Sequence, residues 1–176
     1  LWCWKVAGAL AAGNAVVVKP PLETPLAVAA LIRQIEQVGL PAGSLSDLPG
    51  AADVGEALVS AEGVALVSLT GSVATGQAVV RASAQRLPRL LLELGGHAPF
   101  VVLDDADIPE AAAAAARRSF SNMGQICIAV NRVIVAERVA DTFAEAIGAA
   151  AAAARPGPTD DAETTYGSMT TTDAKR

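Results

Sequence analysis

Short apolar runs alternate with helix-like segments along the chain, and this alternation constrains the fold more than any other feature. The run from Ala15 to Lys19 is β-branched and stops at Pro20-Pro21, which is typical of a buried strand. The next segment has Thr24 as its expected N-cap, Pro25 in its first turn, and apolar residues at helical spacing up to a stop at Gly39. The pattern therefore predicts a strand followed by a helix.

The same alternation repeats, so the sequence predicts parallel strands built from βαβ units. Further strands are predicted at 45–48, 64–69, 90–94, 100–103 and 132–136, and helices at 52–60, 73–85, 108–120 and 140–154. Strands connected through helices pair in parallel, because each crossover returns the chain to the same end of the sheet. Ligands bind at the carboxyl ends of such strands, where we expect Lys19, residues 70–72 and Glu93 to lie.

The composition favours a soluble protein with a core of small aliphatic residues. Of the 176 residues, 52% are hydrophobic but only 3% are aromatic, so Ala, Val and Leu must fill the core. The net charge of −5 disfavours nucleic acid and anionic membranes as partners, since both attract basic surfaces. The longest charge-free stretch, 63–80, is broken by polar residues, whereas a membrane span needs about 20 apolar residues. We therefore expect a cytoplasmic protein with no nucleic-acid or membrane partner.

The few cysteine and histidine residues argue against a metal site or a disulfide framework. The chain has two cysteines, Cys3 and Cys127, and one histidine, His97. None of them lies at the spacing of a metal-binding cluster, and two cysteines cannot build a framework. A Cys3–Cys127 disulfide is not expected in a reducing cytoplasm. We therefore predict no metal.

Two side chains stand out as candidate reactive groups. Cys127 ends the glycine-containing segment 122–127 and is a candidate thiolate nucleophile. Glu93 ends the apolar run 90–92 and precedes Gly95-Gly96, so it is a candidate general base whose pKa apolar surroundings would raise. Taken alone, Cys127 is more often a small buried hydrophobic residue. The plainer alternative for Glu93 is a solvated strand-end carboxylate, but the paired glycines argue against it because they permit a close backbone approach to a ligand or to the cysteine loop. Cys127 and Glu93 are far apart in sequence, so only the fold can bring them together.

Five motifs, in order, resemble those of the aldehyde dehydrogenase family. They are Trp4-Lys5-x-Ala7, the 12–20 segment Ala-Gly-Asn-Ala-Val-Val-Val-Lys-Pro, Thr70-Gly71-Ser72, Glu93-Leu94-Gly95-Gly96 and Gly124-Gln125-x-Cys127. Each motif is weak alone, but their order and gaps together are specific. The resemblance covers about residues 4–135.

The resemblance implies an α/β fold with a Rossmann-like parallel-sheet cofactor domain over 1–96 and the beginning of an α/β catalytic domain over 97–176. It implies oxidation of an aldehyde to a carboxylic acid with NAD or NADP, through a thiohemiacetal and a thioester on Cys127. Glu93 would activate the hydrolytic water, which favours hydrolysis over transfer to coenzyme A. A small-molecule aldehyde would be the substrate, and the full-length protein is expected to form a homo-oligomer.

The resemblance also implies a cofactor site. Lys19 would hydrogen-bond the adenosine ribose, and Ser72, at a helix start, would bind the pyrophosphate together with Thr70, Gly71 and Leu94. The residues alone allow plainer roles, since Lys19 can simply mark a strand end and Ser72 can be an N-cap.

Several other residues are given structural roles. Gln77 stands where a phosphate-binding P-loop needs lysine, so that motif is rejected, and no Gly-x-Gly-x-x-Gly is present. His97 would be the first candidate base in a cysteine hydrolase, but here it follows Gly-Gly at a variable family position. Gly124 and Gln125 are expected to shape the nucleophile loop. Structural roles are assigned to Trp4 and Asn14, and a structural or solvent-exposed role to His97.

The chain departs from the family pattern in ways that limit the prediction. Leu22 stands where the family has a glutamate that holds the ribose of NAD, with Glu23 beside it, so the choice between NAD and NADP stays open. The family's oxyanion-hole asparagine and a second cofactor-binding glutamate lie outside these 176 residues, so we expect a fragment of a longer protein. The alternative interpretation is a non-catalytic fragment that at most binds nucleotide weakly.

Overall fold

The computed structural model describes residues 1–172, and the chain divides into two compact units, Leu1–Leu94 and Gly95–Arg176. The N-terminal unit contains α1 (Trp2–Ala11), β1 (Val16–Val18), α2 (Pro25–Glu36), β2 (Leu45–Asp47), α3 (Ala52–Ser60), β3 (Leu66–Gly71), α4 (Val73–Ser83) and β4 (Arg89–Leu94). The C-terminal unit contains β5 (Pro99–Val102), α5 (Ile108–Phe120), β6 (Arg132–Val135) and α6 (Ala140–Ala152), with 3-10 turns at Ser121–Gly124 and Glu137–Val139. The assignment of 1–96 to the cofactor and 97–176 to catalysis stays a prediction.

The strands pair in parallel, as the alternation of strands and helices predicts. In the N-terminal unit β1 pairs with β2, and β3 pairs with β4. In the C-terminal unit β5 pairs with β6. Each pair is joined through a helix, so the predicted α/β class with parallel strands is confirmed.

Helix α1 was not predicted from the sequence. Its N-cap position is Leu1, which makes no side-chain hydrogen bond, so the sequence carries no capping signal there. Asn14 closes the helix end, because both its backbone N–H and its Nδ2 donate to Ala9 O, at 3.0 and 3.1 Å. The structural role predicted for Asn14 is therefore to close the end of α1 with these two hydrogen bonds.

Several predicted strand and helix ends differ from the structure by one to three residues. Thr24 precedes α2 as expected, but its side chain makes no capping hydrogen bond. That helix ends at Glu36, three residues before the left-handed Gly39, because a turn separates them. Strand β3 extends to Gly71, two residues beyond the predicted end, so Thr70 and Gly71 belong to the strand.

Small aliphatic side chains build the core of the C-terminal unit, as the composition indicates. Val102 of β5, Ala112 and Ala115 of α5, and Phe143 of α6 form its buried cluster. The two alanines let α5 approach its neighbours closely, which compensates for the shortage of large aromatic residues. Within residues 1–172, no helix combines the length and hydropathy needed to cross a membrane.

Candidate active site

The pairing of β3 with β4 assembles four of the predicted site residues. Thr70 is opposite Glu93 and Gly71 is opposite Leu94 in the parallel register, at the carboxyl ends of both strands. This is the edge at which ligands bind in parallel sheets. The sequence prediction that these residues meet at a strand end is therefore matched by the observed register, while their functional roles stay predictions.

Ser72 follows β3 directly and caps α4. Its Oγ accepts a hydrogen bond from Thr75 N–H at 3.1 Å and lies 2.9 Å from Thr75 Oγ1. The side chain is exposed, and the first-turn N–H groups of a helix have no partner within the helix itself. An exposed helix N-terminus with two hydroxyl groups fits a phosphate-bearing ligand, since the helix dipole favours negative charge there. Capping and phosphate binding are compatible.

Leu94 also holds α4 against β4. A Cβ built on Gly76 would lie 2.9 Å from both Cδ atoms of Leu94. Gly76 is buried, so glycine at this position permits the close approach of the helix to the strand. This packing fixes the start of α4, with Ser72, relative to the end of β4.

Lys19 lies immediately after β1, as predicted, and its ammonium group is held by backbone oxygens. Nζ donates to Pro20 O at 3.1 Å and to Gly50 O at 3.0 Å. A Cβ on Gly55 would contact the Lys19 side chain at 3.5 Å. Because an ammonium carries three N–H donors, one remains for a ligand such as a ribose hydroxyl.

Glu93 does not lie in the apolar surroundings that the sequence suggested. Exposed and half-buried residues alternate along β4, and Glu93 falls on the exposed face with Leu91. Successive strand residues point to opposite faces, so an apolar preceding residue does not imply an apolar setting. A Cβ built on Gly95 or on Gly96 would meet nothing within 4 Å, so both glycines leave open space beside the end of β4.

Lys5 is a residue of this region to which the sequence analysis assigned no role. It lies on α1, where burial lowers its pKa from the usual 10.5, while the negative charge of Glu93 opposes that change. The two side chains therefore interact electrostatically within the N-terminal unit. Lys5 is the only charged residue among the first 18, and this isolation was a signal available in the sequence.

Cys127 is exposed and is a free thiol, as is Cys3. It follows the 3-10 turn Ser121–Gly124 that ends α5, in a segment with no regular secondary structure. An exposed thiol on an irregular loop agrees with a reactive cysteine better than with a buried hydrophobic residue. Cys127 belongs to the C-terminal unit and Glu93 to the N-terminal unit, so their predicted meeting stays a prediction.

His97 has a backbone role in the C-terminal unit. Its carbonyl oxygen accepts a hydrogen bond from Asn131 N–H at 3.3 Å, just before β6. His97 is exposed, in agreement with the structural or solvent-exposed role predicted for it. Among residues 1–172, no group of three or more His, Cys, Asp or Glu side chains is arranged to hold a metal ion.

Comparison with known proteins identifies the family. The sequence model of the aldehyde dehydrogenase family matches residues 1–176. The chain belongs to the aldehyde dehydrogenase family. It is 46% identical over 140 residues to 3,6-anhydro-alpha-L-galactose dehydrogenase of Vibrio sp. (strain EJY3), covering 79% of this chain and 29% of that protein. The resemblance predicted from five motifs is therefore confirmed.

Two solved aldehyde dehydrogenase structures match the fold closely. A 3,6-anhydro-L-galactose dehydrogenase in complex with NADP has a TM-score of 0.92 and 40% identity, covering 96% of this chain and 36% of that one. A betaine aldehyde dehydrogenase from Staphylococcus aureus in complex with NAD+ has a TM-score of 0.93 and 34% identity, and the match covers 97% of this chain and 34% of that one. This member of the family thus spans about a third of the length of these relatives. Both NAD and NADP are bound within the group of similar structures.

Proposed function

We propose that the protein oxidises an aldehyde to a carboxylic acid with NAD or NADP, using Cys127 as the nucleophile. The observation that carries the proposal is the exposed, free thiol of Cys127 in a chain that belongs to the aldehyde dehydrogenase family. Membership in the family supports this reaction class, and the surrounding motif Gly124-Gln125-Ile126-Cys127 supports this cysteine over Cys3.

The proposed reaction begins at sulfur. The Cys127 thiolate attacks the aldehyde carbon, so that an S–C bond forms, the π bond of the C=O group breaks, and its electron pair stays on oxygen as the alkoxide of a thiohemiacetal. NAD or NADP, when bound, supplies the acceptor for the hydride. Loss of that hydride from the thiohemiacetal carbon leaves a thioester on Cys127. Water then attacks the thioester carbon, the C–S bond breaks, and the carboxylic acid leaves while the thiolate is restored.

Glu93 is proposed as the base for the hydrolytic step. Its exposed carboxylate at the end of β4 can accept a proton from water, and Lys5 provides a positive charge close to it. Hydrolysis, rather than transfer to coenzyme A, is the outcome that this glutamate supports.

The N-terminal unit is proposed to bind the cofactor. The α4 N-terminus with Ser72 fits a pyrophosphate, and the remaining donor of Lys19 fits a ribose hydroxyl. Thr70, Gly71 and Leu94 lie at the adjacent strand ends. NAD and NADP are both bound by similar structures, and Leu22, at the position of the family's ribose-binding glutamate, favours neither.

The proposal is tested on the full-length protein, meaning this chain with any sequence that flanks it in nature. A panel of aldehydes is assayed with NAD and with NADP, and formation of the reduced cofactor is recorded. We expect turnover that Cys127→Ser abolishes and that Cys3→Ser, a matched change at the other exposed cysteine, preserves. Oxidation that survives in Cys127→Ser would show that another group is the nucleophile.

A second candidate concerns the 176-residue chain on its own. It spans about a third of its relatives, and many large apolar side chains are exposed, including Trp4 at 80% and Val38 at 81%. These features favour a separate chain that is not catalytic and at most binds nucleotide weakly. Its test is a turnover assay of the separate chain.

A further inference from the structure

The backbone that leads to Cys127 adopts an unusual conformation. Asn122, Met123 and Gly124 have consecutive φ values of 51°, 60° and 74°, all in the left-handed region. Only Gly124 adopts such a conformation without cost, and Asn is more tolerant of it than Met. Strained residues of this kind persist only where the surrounding contacts hold them. Some structure around the turn must therefore maintain this conformation.

Reciprocal hydrogen bonds between Asn122 and Gln125 close the turn. The backbone N–H and the side-chain Nε2 of Gln125 both donate to Asn122 O at 3.1 Å. In return, Asn122 Nδ2 donates to Gln125 O at 3.2 Å. These bonds fix the direction in which the chain leaves the turn, two residues before Cys127.

Gln125 also anchors this turn to a distant segment. Its Oε1 accepts a hydrogen bond from Thr170 N–H at 2.9 Å. The segment 155–166, which precedes Thr170, is itself held, because Thr165 N–H donates to Arg155 O at 2.9 Å and the ring of Tyr166 packs near that of Phe120, with centroids 6.1 Å apart. Gln125 thus uses the two ends of one amide to join the cysteine turn to a fixed part of the C-terminal unit.

We infer that Gln125 is a positioning residue that sets the location of the Cys127 thiol. The inference rests on the proposed function for its catalytic consequence. An apolar side chain of similar length, such as that of methionine, cannot make either hydrogen bond of the Gln125 side-chain amide, so the left-handed residues would lose part of their support. A misplacement of about 1 Å in a reacting group can cost roughly 10²-fold in rate. The effect should fall on the reaction at sulfur and not on binding of the cofactor.

The test uses the full-length protein with Gln125→Met. We expect kcat to fall roughly 10²-fold, the KM for the cofactor to stay unchanged, and amide hydrogen exchange to accelerate across residues 121–130. Gln125→Glu keeps an acceptor for Thr170 N–H but loses the donor to Asn122 O, so its kcat should lie between those of the parent and Gln125→Met. Gln34→Met, the same change at an exposed position of α2, is the matched control and should alter neither kcat nor the rate of amide hydrogen exchange. Circular dichroism verifies that each variant is folded.

Several outcomes would overturn the inference. They are a kcat close to that of the parent, a loss of kcat with unchanged exchange, or faster exchange with no loss of kcat. A parent protein without Cys127-dependent oxidation would refute the proposed function instead. In that event the rate of Cys127 alkylation by iodoacetamide replaces kcat, and an unchanged alkylation rate in Gln125→Met overturns the inference.

Discussion

At the residue scale, the fold changes the ionisation of Lys5. Burial lowers its pKa from 10.5, and the carboxylate of Glu93 raises it by a smaller amount. Because burial prevails, the charged ammonium is less stable in the folded protein than in the unfolded chain.

The lowered pKa of Lys5 gives a stability prediction with a defined sign. Below the folded-state pKa the charged form destabilises the fold, and this penalty is relieved as the pH rises toward the unfolded value of 10.5, since the unfolded chain then binds more protons. We expect Lys5→Met to unfold at a higher urea concentration than the parent at neutral pH, and the difference to shrink as the pH approaches 10.5. A difference that widens over this range would show that the pKa is raised. In Lys5→Arg, which keeps its charge, the difference in urea midpoint from Lys5→Met should not shrink over the same pH range.

Leu22 gives a prediction about cofactor choice at the same scale. It is 57% exposed, just beyond β1 and Lys19. A carboxylate at this position can accept hydrogen bonds from ribose hydroxyls and repels a 2′-phosphate. We therefore expect Leu22→Glu to raise the kcat/KM ratio of NAD over NADP by about tenfold or more, since one hydrogen bond to a charged group contributes about 1.5–3 kcal/mol. Leu22→Gln, with the same length and no charge, should improve NAD use without penalising NADP. An unchanged ratio in Leu22→Glu would place this residue away from the ribose.

At the element scale, the contact of α4 with β4 positions one end of the candidate site. Gly76 lies in the interior of α4, where glycine costs about 1 kcal/mol relative to alanine. The structure explains this glycine by the Leu94 side chain, whose Cδ atoms occupy the space that a Cβ would need. Close packing of the helix on the strand thus outweighs helix propensity.

A double-mutant cycle tests that contact. We expect Gly76→Ala to destabilise the protein by about 1 kcal/mol, because overpacking exceeds the gain in helix propensity. In a Leu94→Ala background the same change should be stabilising, since the obstructing atoms are gone. Gly148→Ala is the matched control, because Gly148 lies exposed in α6 and a Cβ added there would meet nothing within 4 Å, so it should stabilise by about 1 kcal/mol. The urea midpoint is measured for Gly76→Ala, for Leu94→Ala, for the variant with both changes and for Gly148→Ala. Additive effects of Gly76→Ala and Leu94→Ala would contradict the contact.

The elements show which parts of the fold the sequence could predict. The helices Ala52–Ser60 and Ile108–Phe120 were predicted with their observed ends, because their apolar spacing and flanking residues are strong signals. Helix α1 was missed, since it has no capping residue. The exposure of Glu93 was missed as well, because it depends on which face of β4 is covered, and sequence neighbours do not determine that. The Thr170–Gln125 hydrogen bond joins residues too far apart for any local pattern to predict.

At the scale of the whole molecule, the chain leaves much apolar surface uncovered. Among residues 1–172, nineteen large hydrophobic side chains are exposed, against ten hydrophobic residues that are buried. Its strands also lie in pairs, so each pair has strand edges open to further pairing. Exposed apolar side chains and open strand edges of this kind favour association with further polypeptide.

This surface predicts how the 176-residue chain behaves alone. We expect negligible turnover with the aldehyde panel and NAD or NADP, and association into oligomers or aggregates in size-exclusion chromatography. The full-length protein assayed in parallel is the control. A Cys127-dependent kcat in the range of ordinary enzymes, about 1–10³ s⁻¹, from the separate chain would contradict this expectation.

The most direct test of the account is the fate of the covalent intermediate on Cys127. The full-length Glu93→Gln variant is mixed with the aldehyde that the parent oxidises fastest and with its preferred cofactor, and intact mass and peptide mapping follow the protein. The account predicts one burst of reduced cofactor, an acyl group that accumulates on Cys127, and steady-state turnover lowered by roughly 10²–10⁴-fold, the usual contribution of a general base. Unchanged turnover with no acyl adduct, or an adduct on another residue, would contradict the roles of Glu93 and Cys127.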